Sequence, residues 1–254
     1  MSFINDLIRR SAKQWDVSPR LATWLFWIAP VGAIAMVLLR IDKDLFRLML
    51  GEDGPVEWVQ FSLFAAAFVA AGTVTMLLRA DRRWLQAGLY AVATVGLFFI
   101  AGEEISWGQR VVGWETPAEL AAINKQNETT LHNIGKTLLV MNSVMMLVGM
   151  WGVFAYPLKD RLRLDRLFAG AERLLVPPFF LAGAFAVIGL YKLVRFTIWI
   201  PSGFTITKYG EWAELSLAFG ICAFAVLNVR RLSAEARTRR ARARMASVDG
   251  ELTA

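Results

Sequence analysis

The chain has 254 residues, 56% of them hydrophobic, a mean hydropathy of +0.46, and 28 lysines and arginines against 21 aspartates and glutamates. Soluble domains average about 45–50% apolar; here the excess gathers in long runs, which places the chain in the membrane class. A single cysteine, Cys222, rules out a disulfide framework or a Cys-based metal site within one chain, and a single histidine, His132, rules out a site that needs two of its imidazoles.

Taken in chain order, residues 1–20 read as a cytoplasmic amphipathic segment. FINDLIRR suits a short interfacial helix with Phe3, Ile4, Leu7 and Ile8 inward. Arg9, Arg10, Lys13 and Arg20 then precede an apolar run in which Ala33-Ile34-Ala35 resembles a signal-cleavage box. The run continues through MVLL to Arg40, however, which favours an uncleaved anchor. Six transmembrane helices are expected over 21–229: Leu21–Leu39, Val56–Leu78, Trp84–Ala101, Leu138–Pro157, Leu174–Val194 and Glu211–Val229. The second opens with EWVQFSL and the sixth with EWAELSL. Glu57 and Gln60, like Glu211 and Glu214, are spaced i, i+3 and share a helix face. This similarity is either a weak parallel repeat of helices 1–2 and 5–6 or the ordinary chemistry of helix ends, where Trp favours the headgroup level and Glu the N-terminal dipole.

The third span ends in GEEISWGQR, a double carboxylate at the helix end where the dipole disfavours negative charge. The stretch to the fourth span has its own helix start. Thr116 can cap, Pro117 suits the first turn and Glu119 completes a capping box, so PAELAAINKQ is expected to lie as a short helix on the outer membrane surface. NETTLHN follows. On a helix, Glu128 and His132 at i, i+4 would face the same way, and a histidine beside a carboxylate serves as a base or a metal ligand. The tail from 230 to 254 is Arg-rich, expected to be disordered and to lie against anionic headgroups rather than bind nucleic acid.

Orientation follows from the positive charges. The N-terminal tail, the 79–83 turn, the 159–173 loop and the C-terminal tail hold 19 of the 28, which by the positive-inside rule makes both termini cytoplasmic. The opposite connections and the helix ends they join hold 12 of the 21 acids. Glu57, Glu103, Glu104, Glu128, His132, Glu211 and Glu214 are thereby expected at one outer surface.

Three functions remain open for that cluster. A metal-dependent hydrolase or transferase would use Glu103, Glu104, Glu128 and His132 catalytically, with Glu57, Glu104, Glu128, His132, Glu211 and Glu214 as candidate ligands of Zn, Mn, Fe, Mg or Ca. Trp107, Gln109, Arg110 and Asn133 would contact a lipid or lipid-linked substrate. Adjacent residues lie about 100° apart on a helix, so only one of Glu103 and Glu104 is expected in any given site. A non-catalytic assembly protein would instead use the acids as caps or as partners of Arg110, Lys136, Lys192, Arg195 and Lys208. An ion-coupled transporter would need polar mid-spans, and Asn142 and Ser143 are the main ones present.

GEEISWGQR, GWETPAEL and NETTLHN together resemble a group of bacterial multi-pass membrane proteins to which no activity is assigned. That resemblance implies a bacterial inner membrane and carries no catalytic residue across. The many histidines and aspartates of ceramidase-like membrane hydrolases are missing.

Overall fold

The structure, a computed structural model, describes residues 2–51, 54–117, 130, 135–168, 170–197 and 203–252. Eight principal helices are α1 (Ser2–Gln14), α2 (Pro19–Leu39), α3 (Lys43–Leu50), α4 (Pro55–Ala80), α5 (Trp84–Glu104), α6 (Gly135–Leu158), α7 (Ala182–Thr197) and α8 (Phe204–Leu252), with short helical turns between them and no strand among the described residues. Six stretches are long and apolar enough to cross a membrane, one in each expected position. Trp24, Val69, Met76 and Val92 on three of them are 63–73% exposed. Water would penalise such faces and hydrocarbon does not.

Local chemistry sets the boundaries. Ser18 caps α2 by accepting from the Leu21 N–H, with Pro19 in the first turn. Asp42 caps α3 by accepting from the Asp44 and Leu45 N–H groups. This short helix was not expected from the sequence; its apolar side, Phe46 and Leu50, packs on Val56 of α4. In α1 only part of the expected face turns inward. Ile8 and Ala12 are buried in the core and Leu7 packs against it, but Phe3 and Ile4 stay exposed.

The fifth span differs most from expectation. Its continuous helix begins at Ala182, because Pro177-Pro178 interrupts the chain after a short turn over Glu172–Leu175. Pro178 has no N–H to offer the Leu174 carbonyl. The Tyr90 hydroxyl of α5 donates to it instead at 2.9 Å, and Trp151 Nε1 of α6 donates to the Leu175 carbonyl at 2.8 Å. Carbonyls freed by a broken helix are thus met by neighbouring helices, as an apolar surrounding requires. The tail, expected to be disordered, instead continues α8 as helix to Leu252. Ala and Arg are strong helix formers, and an Arg231–Glu235 pair at i, i+4 supports the continuation.

α8 is the spine. Ala213 and Leu217 join the core made with α2 and α7, while Ala218, Cys222 and Leu232 join the one made with α4 and α5. Arg230 reaches Asp16, Arg239 reaches Asp81, and Lys159 reaches Gln14 and Glu172. These contacts gather the basic stretches at one end of the bundle. Glu57, Glu104, Arg195 and Glu211 meet at the other, which we term the acidic end. α6 and α7 approach backbone to backbone: a Cβ on Gly149 would lie 2.7 Å from the Gly189 nitrogen. Gly149→Ala is therefore expected to lower stability by about 1–3 kcal/mol in thermal unfolding of the detergent-purified protein. Gly88→Ala, with no atom within 4 Å of the added methyl, should leave the transition unchanged or raise it.

Candidate functional site

The GEEISWGQR stretch builds one wall of a site at the acidic end. α5 runs through both glutamates, and the chain then turns sharply through Ser106 (φ 48°), Trp107 (φ 56°) and Gly108 (φ 82°). Left-handed backbone costs a residue with a side chain roughly 1–2 kcal/mol. The turn folds the Trp107 ring back over the helix end, where a Cβ on Gly102 would lie 2.8 Å from it. Trp107 Nε1 then donates to Glu103 Oε1 at 2.7 Å, and its ring packs edge-on against Phe98 and Phe99. Trp107 thus positions a carboxylate and does not line the cavity beside it. Gln109, also expected to touch substrate, donates to Thr116 Oγ1 at 2.8 Å and lies outside the cavity too. The side chain of Arg110, all of Glu128, His132 and Asn133, and the expected surface helix after Pro117 lie outside the described residues.

The cavity holds about 560 Å³. Both Glu103 and Glu104 line it, although only one was expected to enter a single site. Glu57 comes from α4, Asn142 from α6, and Glu211 and Glu214 from α8. A cationic side faces them from α7 and α8: Lys192, Arg195 and Lys208.

Lys192 is only 5% exposed. Its Nζ donates to Glu214 Oε1 at 2.7 Å and to Asn142 Oδ1 at 2.6 Å, so one ammonium ties α6, α7 and α8 together. Lys208 lies 3.9 Å from Glu211 on the same helix. These two pairs match the salt-bridge reading of the acids. Glu104 is held differently. Gln60, 1% exposed, hydrogen-bonds its carboxylate, while Glu57, Glu211 and Glu214 lie near enough to repel it. The amide of Gln60 is the donor, and its Oε1 is enclosed without a partner. Among the described residues Glu104 makes no ion pair.

Of the expected metal ligands, Glu57, Glu104, Glu211 and Glu214 line this cavity, and Glu128 and His132 lie outside the described residues. Among the described residues no three His, Cys, Asp or Glu side chains form a group able to hold a metal. Glu214 and Glu211 each pair with a lysine through one carboxylate oxygen. Lys192 itself carries a sequence signal: YKLVR puts two cations at i, i+3 late in an apolar span, facing the i, i+3 glutamates of EWAE.

An apolar cleft of about 640 Å³ adjoins the polar cavity. Pro30, Ile34 and Val37 of α2, Val187 and Leu190 of α7 and Ile206 of α8 form its walls, and Tyr191 and Arg195 are shared with the polar cavity. The Tyr191 hydroxyl donates to the Ile206 carbonyl at 2.9 Å, which fixes the partition between the two spaces. Compared with known proteins, the chain matches no family model, no curated protein and no solved structure.

Removing one partner of a buried ion pair strands the other charge, whereas replacing both with apolar groups does not. Glu214→Gln should therefore destabilise the protein by about 3–5 kcal/mol. The double variant Lys192→Met/Glu214→Leu should recover most of that loss, as read from thermal unfolding in detergent.

Proposed function

We propose that the protein is a multi-pass enzyme of a bacterial inner membrane, a hydrolase or transferase for a lipid or lipid-linked substrate, with the acidic-end cavity as its active site. One observation carries the reading: a charged cavity and an apolar cleft share the wall formed by Tyr191 and Arg195. An amphipathic molecule has the complementary form, with a polar head for the cavity and a hydrocarbon chain for the cleft. Arg195 and Lys208 take the anionic oxygen of the head, as guanidinium and ammonium groups do. Glu104 transfers the proton: it lines the cavity, Gln60 orients it, and no cation among the described residues engages it. No step is routed through a metal, because the described carboxylates do not form a ligand group.

The test uses full-length protein in vesicles of mixed phospholipids with added polyprenyl phosphate, and follows lipid products by mass spectrometry. Wild type should form a new lipid species, and Glu104→Gln should slow its formation at least about a hundredfold, the range of one general acid–base group. A wild type that cross-links a photoreactive lipid in the cleft but forms no product would overturn the catalytic reading and leave a lipid-binding assembly protein.

By the positive-inside rule the acidic end faces the periplasm. Ile41, 87% exposed, lies at that end. Ile41→Cys should react with a membrane-impermeant maleimide added to intact cells, and Arg240→Cys only after permeabilisation; buried Cys222 should stay silent. The reverse pattern would invert the orientation.

A further inference from the structure

The opposite end of the bundle holds a second cavity, of about 580 Å³, between the α1–α2 turn, the Glu172–Leu175 turn and α8. Five arginines line it, Arg173, Arg230, Arg231, Arg239 and Arg242, against two acids, Asp16 and Glu235. Each acid is already committed. Asp16 accepts from Arg230 at 2.9 Å and Glu235 from Arg231 at 2.9 Å, while Arg239 turns to Asp81. Arg231 is held further: Nη2 donates to Asn228 Oδ1 and the guanidinium lies over the Trp15 ring. Its Nε is enclosed without an acceptor.

Arg173 and Arg242 remain. Neither makes a hydrogen bond or ion pair among the described residues, and both line the cavity. Arg173 and Arg83 also lie close enough to Arg231 to repel it. Like charges concentrated in a concave site, with two guanidiniums uncommitted, carry an electrostatic cost that an anion relieves. Guanidiniums match the oxygens of a phosphate in two-pronged geometry. Asp16, on the cavity wall, precedes α2 by three residues, and Arg239, also on the wall, reaches Asp81 just after α4, so the cavity lies beside the ends of candidate spans, where a bilayer would place its phosphates.

We propose that this basic-end cavity is a phosphate-binding site, with Arg173 and Arg242 as the groups that grip the oxyanion. It is separate from the acidic-end cavity and independent of the function proposed for that one. The ligand chemistry is common to the headgroup of an anionic phospholipid and to a soluble phosphate, and the experiment separates the two.

Full-length protein in detergent is titrated with dihexanoyl phosphatidylglycerol, with dihexanoyl phosphatidylcholine and with inorganic phosphate, and binding is read by thermophoresis. Wild type should bind phosphatidylglycerol saturably and more tightly than phosphatidylcholine. Arg173→Gln/Arg242→Gln should weaken it roughly tenfold or more, the scale on which a lost charge-assisted hydrogen bond is read in binding. Arg237→Gln/Arg240→Gln removes equal charge outside the cavity and should bind as wild type does. Saturation by phosphatidylglycerol alone assigns a lipid headgroup; saturation by inorganic phosphate as well, in competition with it, assigns a site for which soluble phosphate suffices. Absence of saturable binding by wild type, or equal weakening in both double variants, would overturn the site. Should the first double variant fail to fold, Arg242→Glu, exposed beyond the core of α8, carries the same comparison.

Discussion

An ammonium that reaches almost no water must be neutralised and hydrogen-bonded by its neighbours. Lys192 is such a group, and much of the acidic end follows from it. Its two acceptors stand on different helices, Asn142 on α6 and Glu214 on α8, so that satisfying one charge aligns three helices. That alignment draws Glu214, and Lys208 draws Glu211, toward the cationic side of the cavity. Glu104 is left on the other side with the amide of Gln60 and the repulsion of its fellow carboxylates.

The same rule operates at the basic end through the backbone. The proline pair before α7 frees carbonyls that a bilayer would not solvate. Tyr90 meets the one at Leu174, Asn228 donates to the Tyr90 hydroxyl at 3.2 Å, and Arg231 donates to Asn228. A chain of hydrogen bonds thus runs from a broken helix to the arginines of the second cavity. The local break and the charged surface belong to one arrangement, with α8 passing through both ends as their common scaffold.

Most of the fold was legible from hydropathy. Six apolar runs bounded by charges and prolines became six candidate spans, because length and burial of backbone groups leave few other solutions. The departures have local causes. The fifth helix starts late because the pyrrolidine rings of Pro177-Pro178 cannot continue it. The C-terminal tail is helical because a charge-rich composition does not oppose the helix-forming tendency of Ala and Arg. The sequence grouped Glu57, Glu103, Glu104, Glu211 and Glu214 at one end of the bundle, and the structure brings all five to one cavity. Nothing in the sequence signalled that Trp107 would bond Glu103 and Gln109 would bond Thr116, because the left-handed turn at Ser106 and Trp107 leaves no mark in composition or periodicity.

By itself the sequence determined the helical character of the chain, its six runs long and apolar enough to cross a membrane, the grouping of its basic stretches and the collection of its acids at the opposite helix ends. These depend on residue type and spacing alone. Only the tertiary structure decided which carboxylates find a cation. It also set Glu104 apart, joined a polar cavity to an apolar cleft through Tyr191 and Arg195, and gathered arginines from distant positions into one basin. Such pairings rest on distances of a few ångströms between helices that no linear pattern encodes, and in a medium of low dielectric those distances govern the energy.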